Sequence, residues 1–382
     1  HIVSGLHPSL YIILSMYYTT YITKQTQQIS YTDLFNSEYN PQAINSTVQK
    51  YKHTLQIPTT QFKVNKQVSA LAEVINKYCV LFQKQRDTGV PLYEDCYIPK
   101  KSGGFRKLSI PNDSFKTLLT AFSLELQDIR ILEHNAAYAY VKGRCTIDAV
   151  KKHQENNSYW FLKIDLKDFF PSCTPDFCAQ QIFQVYPFAL LDKATQENFL
   201  TILQIHEHNG LPQGSPLSPY LTNLLMVPID YHIQNTLMHY KHNHFVYTRY
   251  ADDMLISCKS SFNFKEIIEC IKPYLKSLKI NEEKIRYGSR AGRNWNLGVM
   301  LNKDNNITLG YKQKKVYQAM INNFLRDFQA NQAWDLQNTQ ILQGKLAYLR
   351  AVEPEYYQTI VQKYSTKFNL NFEDILQRCL IV

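Results

Sequence analysis

The sequence predicts an α+β fold closed by a helical C-terminal lobe, and three observations predict it. Tyr159-Trp-Phe-Leu-Lys-Ile-Asp-Leu166 is an apolar, strand-like run that reaches a carboxylate at Asp165. Phe245-Val-Tyr-Thr-Arg-Tyr-Ala-Asp-Asp-Met-Leu-Ile-Ser257 reads as two strands with the acidic pair Asp252-Asp253 at their turn. Helical patterns lie between these strands, and past Gly310 the pattern is helical throughout.

Length and composition bound the answer. A chain of 382 residues, 45% apolar and 13% aromatic, has enough apolar surface to bury two or three cores and is not disordered. The formal charge of +10 is spread in short groups such as Lys100-Lys101, Lys151-Lys152 and Lys312-Gln313-Lys314-Lys315, as suits a surface that follows a phosphate backbone. The eight cysteines form no Cys-x-x-Cys pair and have no histidine at zinc-like spacing, so reduced thiols and a cytoplasmic location are expected. Leu10–Tyr18 is apolar but too short to span a membrane, and reads as a helix packed on the rest.

The elements follow in order. Residues 1–60 are rich in Thr, Gln, Asn, Tyr and Ser and form an extension without a chemical motif. Val90–Pro111 alternates around Lys101-Ser-Gly-Gly-Phe-Arg-Lys107, and the glycine pair predicts a hairpin carrying basic side chains. Helices are predicted over 113–133, capped by Asp113 or Ser114, and over 144–155. After the strand at 159–166 and Phe169-Phe170-Pro171, a helix runs through Asp176 to Tyr186, and another over 216–235 follows Gly210-Leu-Pro-Gln-Gly-Ser215. In the C-terminal lobe, read as separate, Val316, Met320, Phe324 and Phe328 make one apolar stripe, and Leu342, Leu346 and Leu349 another before Pro354.

Asp165 and the Asp252-Asp253 pair stand at ends of apolar strands, where side chains can converge at one sheet edge. Clustered carboxylates are costly to bury unless cations neutralise them. Two magnesium ions would do so, since hard cations take oxygen ligands and keep open positions for phosphate. That chemistry is two-metal nucleotide addition. Singly, each aspartate reads as a turn or cap residue; the surrounding motifs decide against that.

Phe161-Leu-Lys-Ile-Asp-Leu-Lys-Asp-Phe-Phe-Pro-Ser172, Gly210-Leu-Pro-Gln-Gly-Ser-Pro-Leu-Ser-Pro219 and Tyr250-Ala-Asp-Asp253, in that order, resemble the palm motifs of bacterial reverse transcriptases. The resemblance covers about Pro91 to Gly298 and extends loosely to the C-terminus. It implies a right-hand polymerase fold, with fingers over 61–160, a palm over 161–310 including finger elements near 185–210, and a helical thumb over 311–382. It also implies RNA-directed DNA synthesis from deoxynucleoside triphosphates with two Mg2+ ions, or Mn2+ in their place.

Residue by residue, the resemblance makes Asp165 and Asp252 direct metal ligands, supported by Asp253 and the Ile164 carbonyl. Phe170 matches the ring that excludes a 2′-hydroxyl, and Gln213 and Gly214 the loop lining the nucleotide pocket. Arg106, with Lys100 or Lys101, falls on the hairpin that closes over the triphosphate, where an Arg fork suits phosphate oxygens. Lys284 matches a lysine beside the leaving pyrophosphate. Tyr250, Trp295-Asn-Leu297-Gly298 and Asn302 resemble the elements that hold primer and template. In the thumb, Gly344 would allow close helix contact, and basic residues would hold the duplex through phosphates.

Ala139-Tyr-Val-Lys-Gly-Arg-Cys-Thr-Ile-Asp-Ala-Val-Lys-Lys-His153 looks like the short forms found in retrons and defence-associated enzymes, although Asn296-Leu-Gly298 stands where retrons usually carry Val-Thr-Gly. No maturase, integrase or nuclease segment is expected to follow the thumb, which points away from a group II intron enzyme. The expectation is therefore a stand-alone defence-type enzyme copying a dedicated structured RNA. It would form a homo-oligomer or a ribonucleoprotein, with residues 1–60 as the assembling surface, and would have no membrane partner. Rival readings are an RNA-synthesising or template-independent nucleotidyltransferase on the same palm, and a catalytically silent RNA-binding scaffold.

Overall fold

The computed structural model describes residues 58–100, 103–240, 244–290, 295, 298–332 and 334–381. The expected extension over 1–60, with its Leu10–Tyr18 helix, lies almost wholly outside them, and so do Lys101 and Leu297.

Helix α1 (Pro58–Asp87) leads into a two-stranded antiparallel ribbon, β1 (Tyr93–Pro99) and β2 (Phe105–Pro111), whose turn is closed by the Lys100 N–H on the Gly104 carbonyl at 2.9 Å. Helix α2 (Asp113–Asp128) is capped by Asn112, not by Asp113 or Ser114: the Asn112 side chain accepts the Phe115 N–H at 2.8 Å. It stops five residues before the expected end, where Arg130 takes a left-handed φ of 57°. There follow α3 (Thr146–Glu155), β3 (Trp160–Lys167), a single turn α4 (Phe169–Ser172), α5 (Pro175–Ile182), α6 (Lys193–His206) and the buried α7 (Ser218–His239). The hairpin β4 (Val246–Tyr250) and β5 (Asp253–Cys258), α8 (Phe264–Leu275), and short β6 (Lys279–Ile280) and β7 (Arg286–Ser289) complete the central part. The pair β8 (Met300–Leu301) and β9 (Ile307–Thr308) precedes α9 (Gly310–Gln329), α10 (Leu336–Val352), α11 (Pro354–Phe368) and α12 (Phe372–Ile381).

The main sheet has the order β4-β5-β3-β6, with β7 also paired to β3. Register sets Asp165 opposite Asp253 and Ile164 opposite Met254 on the β3–β5 pair. Tyr250 lies opposite Asp253 on β4–β5, which leaves Ala251 and Asp252 as the two turn residues.

The chain divides into two compact, interleaved units. One holds the described residues up to His134 with Leu166–Gln234 and Ile271–Lys279; the other holds Asn135–Asp165, Asn235–Cys270 and everything from Ile280 onward. In the first, Phe82 of α1 packs edge-on against Phe115 and Phe122 of α2, with ring centroids 5.5 and 5.7 Å away.

In the second unit the helices α9–α12 share one apolar core with the sheet. Phe161, Leu255 and Trp295 are continuous with Phe324, Leu346, Ile360 and Phe372, so the C-terminal helices are not a separately cored lobe as the sequence suggested. The buried stripe of α9 is Tyr317, Ile321, Phe324 and Leu325; Val316 and Phe328 of the expected stripe are exposed. Both rows obey helical periodicity, and packing on α11 and α12 selects the one carrying Tyr317 and Ile321. On α10 the expected Leu342, Leu346 and Leu349 are buried. Gly344 is exposed with no neighbour within 4 Å of where a Cβ would sit, so it admits no close helix contact.

Candidate active site

Three aspartates stand at neighbouring strand ends in the second unit, Asp165 on β3 opposite Asp253 on β5 and Asp252 in the turn before it. The Asp165 carbonyl accepts the Asn281 N–H at 2.8 Å, so Asp165 and Asp253 face each other across β3–β5 as a pair that exchanges no backbone bonds, the arrangement in which opposed side chains lie closest. Lys163, two residues back, shares their face of the sheet. Its Nζ is 2.8 Å from Asp253 Oδ2, while Lys284 Nζ and Asn281 Nδ2 lie 2.9 and 3.2 Å from Asp165 Oδ1.

Asp252 is placed by the turn. Ala251 holds a left-handed φ of 56°, uncommon for a non-glycine residue, and Asp252 follows it close enough to feel the charges of Asp253 and Asp165. Its carboxyl is pushed above the ordinary value of 3.8, first by burial and then by the charges of Asp253 and Asp165. Lys284 is pushed up, chiefly by its hydrogen bond to Asp165 and further by the three negative charges. Three carboxylates against two lysines leave the group short of positive charge.

The donor set fits divalent metal. The oxygens are hard, the cluster is acidic beyond its own lysines, and Lys284 and Lys163 occupy carboxylate oxygens as monovalent cations. Among the described residues no three His, Cys, Asp or Glu side chains are gathered closely enough to hold a metal ion without rearrangement. The Ile164 carbonyl is less suited than expected. Backbone groups alternate sides along a strand, so with Asp165 turned to Asn281, Ile164 is turned into the β5 ladder opposite Met254.

A buried layer braces the β4–β5 hairpin. His153 Nδ1 and Nε2 lie 2.6 Å from Ser257 Oγ and 2.8 Å from Thr248 Oγ1, which ties α3 to both strands. Burial pushes the imidazole down to about 3. Trp295, expected at the primer end, is instead a core ring stacked on Phe161 at 5.4 Å. Asn302 is used locally, its Oδ1 accepting the N–H groups of Asp304 and Asn306. Gly298 has φ 103° and open space where a Cβ would be, and Tyr250 is half-buried at the end of β4.

The remaining candidates belong to the first unit. Phe169 is buried and Phe170 only partly so, which assigns the packing role to the first ring and leaves the second accessible. The loop 207–217 is stitched to α4, with the Leu211 N–H on the Phe170 carbonyl at 3.0 Å, and to β2, with the Ser109 N–H on the Gln213 carbonyl at 2.7 Å. A Cβ on Gly214 would lie 2.9 Å from the Ser109 carbonyl oxygen, so only glycine fits. Arg106 is exposed on β2, opposite Ile98. Lys163 and Asn281 were not singled out from the sequence, although the i, i+2 spacing of Lys163 and Asp165 on one strand was a readable signal.

A sheet whose strand ends gather three aspartates in a hairpin and its neighbour, braced by helices, defines a palm-type polymerase. The profile of the reverse transcriptase (RNA-dependent DNA polymerase) family matches residues 98–316. The retron Ec73 reverse transcriptase of Escherichia coli is 30% identical over 282 residues, which cover 70% of this chain and 85% of the relative. The retron Ec83 reverse transcriptase of the same species is 26% identical over 311 residues, 78% of this chain and 93% of the relative. A Candida albicans telomerase structure aligns with a TM-score of 0.47 at 11% identity, over 76% of this chain and 66% of that one. The chain belongs to the reverse transcriptase family, as an RNA-directed DNA polymerase of the bacterial retron type. The departure at Asn296-Leu-Gly298 does not set it apart from retron enzymes. Enzymes of this family depend generally on divalent metal, and no described helix is long and apolar enough to cross a membrane.

Proposed function

We propose that this enzyme copies a dedicated structured non-coding RNA into DNA in bacterial antiviral defence, using Asp165 and Asp252 to hold two magnesium ions and Asp253 to support them. The gathering of three carboxylates at the β3–β5 strand ends, with Asp252 destabilised by burial and by its neighbours, carries this reading. When bound, the ions would supply Lewis-acid activation of the primer 3′-hydroxyl and stabilise the leaving pyrophosphate.

The protein's own groups do the rest. Lys284 leaves Asp165 for the pyrophosphate, where an ammonium can neutralise charge or donate a proton. Phe170 lies beneath the sugar and excludes ribonucleotides, Gln213 and Gly214 line the nucleotide pocket, and Arg106 with Lys101 grips the triphosphate. Tyr250, Leu297 and Gly298 hold primer and template. In this reading the fingers, palm and thumb run over 61–160, 161–310 and 311–382, and basic thumb residues bind the duplex through phosphates, so affinity falls steeply with salt. All eight cysteines are free thiols, in keeping with a reducing cytoplasm. Assembly with the RNA as a ribonucleoprotein, through residues 1–60, belongs to the same reading.

The test is to purify the protein from its host, sequence the nucleic acid that travels with it, and assay extension with magnesium and deoxynucleotides. A structured RNA and a DNA product, with synthesis down by at least about 1,000-fold in Asp252→Asn on the scale of several kcal/mol of lost charge stabilisation, is the expected result. Synthesis that persists in the variant, needs no template or prefers ribonucleotides would overturn it. For the defence role, phage plating should rise with the same variant in the host.

A further inference from the structure

One carboxylate outside the catalytic cluster has more partners than its exposed position requires. Asp95 on β1 accepts Ser109 Oγ–H at 3.1 Å across the ribbon, sits 2.8 Å from Lys107 Nζ, and is 2.9 Å from His208 Nε2 on Oδ1. Lys107 and Ser109 are on β2; His208 is in the loop that continues through Gly210 to Gly214. Asp95, Lys107 and His208 each keep about a third of their side chain exposed, at 33%, 35% and 31%. Ion pairs that open to water contribute little stability. The arrangement must therefore be read for what it positions.

It positions the 207–214 loop. Asp95 fastens the start of that loop through His208. Through Ser109 it braces the strand whose Ser109 N–H holds the Gln213 carbonyl at 2.7 Å and whose Ser109 carbonyl leaves room at Gly214 only for a hydrogen. Between these two fastenings Gly210, at φ 84°, lies against α4 so closely that a Cβ would come within 2.6 Å of the Phe170 carbonyl oxygen. The ribbon, the loop and the turn bearing Phe170 are thus joined in series, and Asp95 is where the ribbon is tied on.

We propose that Asp95 is a positioning residue for the nucleotide pocket, setting the height of Gly214 and the Phe170 ring for the incoming deoxynucleotide. This rests on the reading of Phe170, Gln213 and Gly214 as pocket residues. Hydrogen bonds to Lys107, His208 and Ser109 hold the Asp95 carboxyl below its ordinary value, so it stays ionised in this role.

The experiment is steady-state extension by Asp95→Asn, His208→Gln and the double variant, with melting temperatures measured alongside. Asparagine keeps the shape but removes the negative charge that Lys107 Nζ and His208 Nε2 meet. The expected result is a KM for deoxynucleotide raised about 3- to 10-fold, the yield of one or two charge-assisted hydrogen bonds. The kcat should stay within about twofold, the preference over ribonucleotides should change, and the double variant should be no worse than the worse single one. Unchanged KM and sugar preference, whatever the melting temperature does, would overturn the proposal, as would fully additive effects. Phe170→Ala run in parallel separates the two failures. If it does not raise ribonucleotide use, the pocket reading itself is wrong; if it does and Asp95→Asn is silent, only this inference falls.

Discussion

At the scale of single residues the site carries an unfavourable charge arrangement in the absence of metal. Asp252 has its carboxyl pushed above 3.8 by burial and by two neighbouring carboxylates, so its ionised form is worse off folded than unfolded. The protonated form is favoured in the native state, and that advantage disappears as pH rises from 3.8 through the raised folded value. At neutral pH the ionised group therefore destabilises the metal-free protein. Asp252→Asn should melt about 1–3 °C higher than wild type in EDTA, on the usual scale for a chain of this size. Magnesium should reverse the order, because only the wild type gains binding energy from it. A differential scan with and without the ion checks both signs. At Phe170, whose neighbour Phe169 already fills the core, alanine should leave stability nearly unchanged and raise ribonucleotide incorporation about 10-fold or more, in line with losing one steric exclusion. The placement of the three aspartates at strand ends, and of Phe170 in the turn after β3, was legible in the sequence because each ends or follows an apolar strand. Lys163 shares a strand face with Asp165 and that spacing is readable, but its partner Asp253 and the contact of Asn281 with Asp165 exist only once β3 has partners on both sides.

At the scale of elements, glycine positions separate backbone that is held from backbone that is free. Gly210 would place a Cβ 2.4 Å from the Pro171 carbonyl oxygen and Gly214 one 2.9 Å from that of Ser109, both at positive φ. Alanine at either should shift the 207–217 loop and cut kcat/KM at least about 10-fold, with the larger stability loss at Gly210. Gly344 differs on both counts. It is exposed inside α10 with no neighbour, so Gly344→Ala should stabilise the protein by about 1 kcal/mol, the helix-propensity gain, with activity unchanged. Chemical denaturation of the three variants checks the ranking. The sequence alone argued the reverse for Gly344, reading a glycine in a helix as a contact point, because periodicity shows which face is apolar and not which partner covers it. The same limit explains the α9 stripe, where two apolar rows compete and only packing chooses. Helix starts were legible to within a residue or two, but the cap at Asn112 depended on a side-chain bond that composition does not distinguish from the neighbouring Asp113 and Ser114.

At the scale of the whole molecule, each unit has among its described residues a fully buried histidine whose neutral form the fold favours. His153 braces β4 and β5 through Thr248 and Ser257, and His206 holds Tyr93 Oη at 2.7 Å on Nδ1 and Ser218 Oγ at 3.1 Å on Nε2. Burial pushes both down to about 3 from an ordinary 6.5. The sign follows from linkage: with the folded value depressed, the unfolded chain takes up a proton below 6.5 that the native state refuses. Stability is full above 6.5 and is lost as pH falls toward 3, by about 1.4 kcal/mol per pH unit for each histidine. Carboxylates titrate lower, so between pH 6.5 and 4.5 the two imidazoles should dominate the slope. Urea unfolding at a series of pH values should therefore show stability falling as the solution is acidified through that window. His153→Gln should lie about 1–3 kcal/mol below wild type at pH 7, for an imperfectly replaced pair of buried hydrogen bonds, with a shallower slope. A variant as steep as wild type would show that protonation of this histidine is not what weakens the fold, and that the brace behind the β4–β5 hairpin survives acid.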